Sequence, residues 1–307
     1  MLDAYVITIL TLMGIWSIVT LGLNVITGLA GQFNLGIGVY MGTGAYVSAV
    51  LTTSFGFGFW QALPLAIAGA ALMGFLTGLP ALRVREDSLA VLTIGLVFVF
   101  ESLLIYLPYF GGPLGINRIP RAVLAGEALS NQSYLLIVLA ALLLTIAICL
   151  YLRRSWMGLA WESIRENELA AQVTGINPAH FKLYAFTIGA AIAGLGGVLY
   201  AHFIRFVTPY DFGFIPSIYV LTMLVFGGIG TVRGTVFGAC FLTLLPEMFR
   251  FVQDYRNLIY GATLVLLMLY QPRGLLGSGS FVWKGLYAGL ARLKALLTGA
   301  RSYASNP

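Results

Sequence analysis

Along this chain, hydrophobic and polar positions fall into blocks instead of alternating. Apolar runs lie near Tyr5–Thr27, Leu35–Thr53, Trp60–Leu82, Ser88–Pro108, Ser133–Leu152, Tyr184–Phe206, Phe214–Gly230, Thr235–Val252 and Leu258–Tyr270. A hydrocarbon core about 30 Å thick is crossed by about 20 residues of helix. The runs therefore predict an all-α, polytopic transmembrane helical bundle of about nine spans, in a range of roughly eight to ten. They lack the in-out alternation of barrel strands, which excludes a β-barrel.

Composition strengthens that reading. Hydrophobic residues make up 59% of the 307 and charged residues 9%, against about 25% charged in ordinary soluble domains. From Met1 to Leu82 the single charged side chain is Asp3, too little to cover a soluble surface. A disordered chain, a disulfide scaffold and a soluble enzyme are excluded together. The net charge of +6 comes from basic residues scattered between apolar runs, which is membrane topology and not a nucleic-acid footprint.

Loop charge orients the bundle. One set of loops carries Arg83, Arg85, Arg153, Arg154, Arg165, Lys182 and Arg233, and the tail adds Arg273, Lys284, Arg292, Lys294 and Arg301. The opposite set carries Arg118, Arg121, Arg205, Arg250 and Arg256. The richer side is assigned to the cytoplasm, and nine spans then leave the N-terminus outside. A broken or re-entrant element after Thr27 would change that count but not the side of the long loop. Asp3 stands where a signal peptide would be basic, and no small-residue cleavage site follows, so no cleavable signal is expected.

Cys149 and Cys240 lie inside apolar runs, and His180 and His202 are not at ligand spacing, so no metal site is predicted. Glycines crowd the block Gly28-Leu29-Ala30-Gly31-Gln32-Phe33-Asn34-Leu35-Gly36-Ile37-Gly38, followed by Gly42 and Gly44. The pairs Gly38/Gly42, Gly74/Gly78 and Gly230/Gly234 have the small-xxx-small spacing of close helix packing. The amides Asn24, Gln32 and Asn34 admit two readings. They line a translocation path together with Gly36 and Gly38, or they bond a neighbouring helix or a helix end. Glu101 and Glu247 are carboxylates inside apolar runs. Ion coupling is one role, and Glu101 joins the path candidates. An interfacial or paired structural role is the other, with Glu247 three residues before Arg250.

The long polar loop, 153–183, carries most of the local chemistry. Ser163-Ile164-Arg165-Glu166 fits a capping box at a helix start. Gly175 suits a left-handed helix end, and Asn177-Pro178 suits the start of the next helix. The loop thus predicts one short helix over Glu162–Gly175, a sharp turn and re-entry into the membrane. It is a docking element or a solvated connector. The tail from Phe281 has apolar residues at helical spacing with basic residues between them, which suits an amphipathic helix on the inner leaflet or disorder.

Glu168-x-Ala170-Ala171-x-x-x-Gly175 resembles the EAA-type signature of ABC importer permeases, with one extra residue between the Glu and the Ala pair. Gly22-Leu23-Asn24 with Gly28-x-x-Gly31-Gln32, Gly111-Gly112-Pro113-Leu114-Gly115-Ile116, Gly175-Ile176-Asn177, Phe226-Gly227-Gly228-Ile229-Gly230-Thr231 with Gly234, and Pro272-Arg273-Gly274-Leu275-Leu276-Gly277 follow in order. Together they resemble the LivM-type permease of the branched-chain (hydrophobic) amino acid ABC transporter family.

The resemblance implies a permease domain over residues 1–280 and a cytoplasmic tail over 281–307, in a bacterial inner membrane. It implies a LivH-type second permease, two ATPase subunits and a periplasmic substrate-binding protein as partners, beside membrane lipid and with no nucleic acid. Coupling to the ATPases would fall to Glu162, Arg165, Glu166, Glu168, Ala170, Ala171, Gly175 and Asn177. The chain itself would be no enzyme and would bind no cofactor. None of Lys182, Lys284 or Lys294 follows a glycine as a Walker A loop requires, so ATP belongs to the partners. Where the family often carries Glu and then Arg, this chain has Phe98 and Glu101. That departure leaves urea, short amides or another small organic solute open beside the branched-chain amino acids. Rival classes are a secondary transporter or channel acting alone, a polytopic membrane enzyme, and a scaffold without a path.

Overall fold

The computed structural model describes residues 4–84, 86–124, 127–248 and residue 265. Among the described residues, ten α-helices carry the fold. They are α1 (Ala4–Leu23), α2 (Ile37–Thr53), α3 (Phe59–Ala81), α4 (Glu86–Tyr106), α5 (Asn131–Arg154), α6 (Trp156–Glu166), α7 (Glu168–Val173), α8 (Pro178–Ile204), α9 (Phe214–Gly227) and α10 (Val232–Met248). α1 continues into a π-helical turn, Asn24–Leu29. Each apolar run from Tyr5 to Val252 corresponds to one of these helices. Among the described residues, six stretches are long and apolar enough to cross a membrane: Ala4–Leu29, Phe59–Ala81, Ser88–Tyr106, Asn131–Arg154, Pro178–Ile204 and Pro209–Gly227. The protein is thus a helical membrane bundle.

The expected count of about nine does not emerge from these helices. The run at Leu35–Thr53 yields a helix of 17 residues, and at the run Thr235–Val252 the apolar helix covers Val232–Leu245, 14 residues. At 1.5 Å per residue they measure only about 26 and about 21 Å. The ninth run Leu258–Tyr270, the tail, Arg85, the Glu247–Arg250 pairing and the motif at Pro272–Gly277 lie outside the described residues.

α8 is the centre of the bundle, with α1, α2 and α3 packed against it. Its small residues permit this. A Cβ on Gly197 would overlap the Met41 carbonyl of α2, one on Gly189 would overlap Ile26 of the π-helical turn, and one on Gly194 would overlap Ala70 of α3. The partner helices answer in kind: Gly44 meets Gly194, Gly22 meets Gly189 and Ala193, and Gly74 meets Phe186 and Ala190. Lipid is as apolar as a side chain, so association within a bilayer depends on such close packing. The expected pairs Gly74/Gly78 and Gly38/Gly42 do form packing faces, against α8 and against Phe212 respectively. Gly230/Gly234 does not. Gly230 lies in the turn between α9 and α10 with φ +79°, and Gly234 alone packs in a helix, against the Gly227 carbonyl.

The charge segregation is visible along α8. Lys182 and α6 lie at its N-terminal end, and α3 reaches that end through Gly78 beside Leu183, bringing Arg83 with it. Arg205 ends α8 at the other side. There a short antiparallel ribbon pairs β1 (Ile116–Asn117) with β4 (Phe206–Val207), and a second pairs β2 (Val123–Leu124) with β3 (Glu127–Ala128). His202 ties this end together. Its Nδ1 lies 2.9 Å from the Pro120 carbonyl and its Nε2 2.8 Å from Ser48 Oγ. A carbonyl only accepts, so Nδ1 donates and the neutral ring accepts from Ser48 at Nε2.

Gly197→Ala is expected to destabilise the bundle by about 1–3 kcal/mol, the cost of overpacking. Gly95→Ala on α4, where a Cβ meets nothing within 4 Å, is expected to leave it unchanged or slightly more stable. Thermal unfolding of the two variants in detergent measures the difference.

Candidate translocation and coupling site

The glycine-rich block forms an irregular segment, residues 30–36, between the π-helical turn and α2. At one end Gly28 lies against Gly230, just past the C-terminus of α9. At the other the Gly38 N–H donates to Ser217 Oγ in the first turn of α9, 3.1 Å away. The segment therefore runs alongside α9, inside the protein. Irregular backbone within a membrane is tolerated only where its polar groups are met by protein or by a wet cavity. Here side chains meet many of them. Leu35 N–H donates to Thr93 Oγ1 at 3.1 Å, Gly36 N–H to Asn34 Oδ1 at 2.6 Å, and Thr27 Oγ1 to the Gln32 carbonyl at 3.1 Å.

All three amides singled out by sequence are buried. Asn34 donates through Nδ2 to Tyr40 Oη at 3.2 Å, and that hydroxyl lies 2.8 Å from Thr77 Oγ1 of α3. Asn24 accepts at Oδ1 from the Gly230 N–H, 2.9 Å away. Among the described residues, Asn24 Nδ2, Gln32 Nε2 and the Tyr46 hydroxyl have no hydrogen-bond partner. Each such buried group costs about 1–3 kcal/mol. Gly36 packs on Thr93 and Gly38 on Phe212 and Ser217. Glu101 stands apart from the amides. It is half-buried, with Oε2 beside Gly213 at the start of α9, and Phe98 stacks on Phe214 at 6.0 Å between centroids.

The long polar loop is two helices, not the single helix expected over Glu162–Gly175. Ser163 opens nothing: it lies within α6 and donates to the Leu159 carbonyl at 3.0 Å. The helix runs unbroken from Trp156, so no free N–H groups exist there for a capping box to meet. The break comes at Asn167 (φ −158°, ψ 105°), whose Oδ1 accepts from the Ala170 N–H at 3.1 Å and starts α7. α7 ends in a paired arrangement. Ile176 N–H donates to the Ala171 carbonyl at 3.1 Å and Gly175 N–H to the Gln172 carbonyl at 3.0 Å. Gly175 takes φ +87°, the left-handed conformation this Schellman closure requires. Asn177 then caps α8 through the Ala179 N–H at 3.1 Å, with Pro178 in the first turn.

The coupling candidates do not share a face. Glu162, Glu166 and Ala170 are exposed, and Ala171 is buried. Glu168 pairs with Lys182 of α8 at 2.8 Å; their side chains are 39% and 12% exposed, so the pair is worth under about 1 kcal/mol. Arg165 is exposed as well, but its Nη1 reaches in and donates to the Gly28 carbonyl at 2.7 Å. Between α6, the Gly175 turn and the start of α8 lies a groove of about 660 Å³, lined by Trp156, Leu159, Ser163, Ile176, His180 and Tyr184 among others. Among the described residues no three His, Cys, Asp or Glu side chains converge as a metal site.

Residues 5–268 match the model of a protein family described as the branched-chain amino acid transport system / permease component. The chain belongs to this family. It is 37% identical over 295 residues to the high-affinity branched-chain amino acid transport system permease protein LivM of Escherichia coli (strain K12), covering 88% of this chain and 69% of that protein. It is 32% identical over 134 residues to the LivH permease protein of the same strain, 43% of each chain. It is 25% identical over 289 residues to the permease protein BraD of Pseudomonas aeruginosa, 87% of this chain and 93% of that one. No solved structure matches the chain.

Sequence reasoning missed several residues within the family's matched span. Trp161 is fully buried and donates from Nε1 to the Phe181 carbonyl of α8 at 2.8 Å, fastening α6 to the bundle. Tyr40, Thr77, Thr93 and Ser217 hold the irregular segment, and Gly189, Gly194 and Gly197 seat the helices around it. The unbroken apolar helix from Trp156 was the signal for Trp161. The scattered hydroxyls offered none, because their partners are up to 179 positions away.

Asn34→Ala removes the acceptor of the Gly36 N–H and the donor to Tyr40. It is expected to lower stability by about 1–3 kcal/mol, against under about 1 kcal/mol for Lys182→Ala. Thermal unfolding of the purified variants ranks the two.

Proposed function

We propose that this chain is a permease subunit of an ABC importer that moves branched-chain or related amino acids across the bacterial inner membrane by ATP-driven alternating access. Family membership supports the class. The single observation that carries the mechanism is the α6–α7 pair: two short helices with exposed outer faces, displayed between α5 and α8 and fastened inward by Trp161 and Arg165. On this reading the outer face, with Glu162, Glu166, Ala170 and the Gly175 turn, meets the ATPase subunits. Asn24, Gln32, Asn34, Gly36, Gly38 and Glu101 belong to the wall of the path or to its support.

The further expectations of the reading are these. A LivH-type second permease completes the pathway, two ATPase subunits bind and hydrolyse ATP, and a periplasmic binding protein delivers substrate. This chain is no enzyme and binds no cofactor or nucleic acid. About nine spans place the N-terminus outside, residues 1–280 form the permease domain, and 281–307 lie on the cytoplasmic side. The apolar side chain at Phe98 and the carboxylate at Glu101 favour one second reading, a transporter of the same class for urea, amides or another small solute.

Gly175→Val combined with Glu168→Ala tests the coupling. A β-branched residue at φ +87° is strained by about 1–2 kcal/mol, and the α7 closure loosens. ATP-dependent uptake in membrane vesicles is expected to fall about tenfold, with loss of stimulated ATP hydrolysis. Uptake and hydrolysis at wild-type levels would refute the assignment.

A further inference from the structure

Arg165 is an exposed residue whose guanidinium nevertheless bonds into the bundle. It reaches the point where the π-helical end of α1 and the irregular segment that follows it meet the turn between α9 and α10. Nη1 donates to the Gly28 carbonyl at 2.7 Å. On the same site, Asn24 Oδ1 accepts from the Gly230 N–H at 2.9 Å. Three glycines leave room for this. A Cβ on Gly31 would lie 3.1 Å from Arg165 Cγ, one on Gly230 would lie 3.3 Å from Arg165 Nη1, and one on Gly28 would overlap Asn24 Oδ1. Gly31 and Gly230 both have positive φ, +73° and +79°. A side chain at Gly31 or Gly230 would be strained by its backbone and would press on Arg165.

We infer that Arg165 is a strut that carries movement of α6 to the irregular segment and to the α9–α10 turn, so that the cytoplasmic end of the path opens and closes with α6. Trp161 and Arg165 are four residues apart, on one face of α6. The first fixes the helix to α8 and the second fixes it to the Gly28–Gly230 junction, so a rotation of α6 about its Trp161 anchor pulls or releases that junction. The π-helical turn and the segment at the far end of the strut have bonds to gain in a second arrangement, because Asn24 Nδ2 and Gln32 Nε2 are buried donors without acceptors among the described residues. Coupling between sites needs an element with two packings, both biased by the same contact. The strut and its unsatisfied amides meet that description. Arg165 is therefore a positioning residue, acting through the backbone it holds.

The inference rests on the permease reading, and the experiment separates the two. The whole transporter, with the second permease, ATPase subunits and binding protein, is reconstituted in proteoliposomes. Radiolabelled leucine imported per ATP hydrolysed is measured, together with retention of the ATPase subunits on purification. With Arg165→Ala, ATPase subunits are expected to be retained while import per ATP falls about tenfold. Arg165→Lys, which keeps a donor, recovers part of the ratio, and Arg154→Ala, an exposed charge at the end of α5, keeps all of it. A wild-type ratio in Arg165→Ala overturns the strut. So does loss of the ATPase subunits in that variant, which would make Arg165 a docking residue. If Arg165→Ala does not accumulate, Gly230→Ala crowds the same junction from α10's side and must show the same fall. A wild-type chain that retains no ATPase subunits overturns the permease reading, and the strut with it.

Discussion

The structure depends on how closely α1, α2 and α3 approach α8. In water, burial of apolar surface would hold such helices together, but in lipid that drive is absent. What remains is dispersion between surfaces in contact, and it falls away within an ångström of added gap. Gly22, Gly44, Gly74, Gly189, Gly194 and Gly197 remove the side chains that would open that gap. One methyl group at Gly197 would meet the Met41 carbonyl, which cannot move without shifting all of α2.

That packing makes the irregular segment possible. Seven residues of non-helical backbone beside α9 would be prohibitive against lipid, and they are stable because the bundle supplies their partners. Thr93 comes from α4, Thr27 from the π-helical turn, and Asn34 from the segment itself. The accounting is close but incomplete. Two amide nitrogens in this region and the Tyr46 hydroxyl remain without partners among the described residues. Unsatisfied polar groups inside an otherwise tightly packed bundle belong where a protein changes arrangement, and Asn24 and Gln32 flank the Gly28 carbonyl to which α6 is tied.

The two helices α6 and α7 show how an exposed element can be firmly held. α6 presents Glu162, Glu166, Trp156 and Leu159 outward, yet Trp161 and Arg165 fix it at two points separated by one turn. α7 is fixed more weakly, by the half-exposed Glu168–Lys182 pair and the closure at Gly175. A rigid helix followed by a looser one, joined at Asn167, suits a part that receives a partner on one side and passes force on the other.

Much of this was legible in the residues. Membrane residence, helical class, the runs that become helices, the left-handed turn at Gly175 and the cap at Asn177 follow from sequence alone. Each depends on a residue's intrinsic preference or on its immediate neighbours. Charge placement is similarly local, and among the described residues Lys182 stands near the start of α8 and Arg205 ends it. Tertiary structure decided the rest. Ser163 looked like a helix start until α6 ran through it. Gly230 looked like half of a packing pair until it proved to sit opposite Gly28. Nothing local to Arg165 pointed to its bond with a carbonyl 137 positions earlier. In a chain this apolar, the hydrophobic pattern says only that a segment lies in lipid or protein. Which neighbour it meets depends on shape at single glycines and on hydrogen bonds between distant residues, and those exist only once the helices have packed.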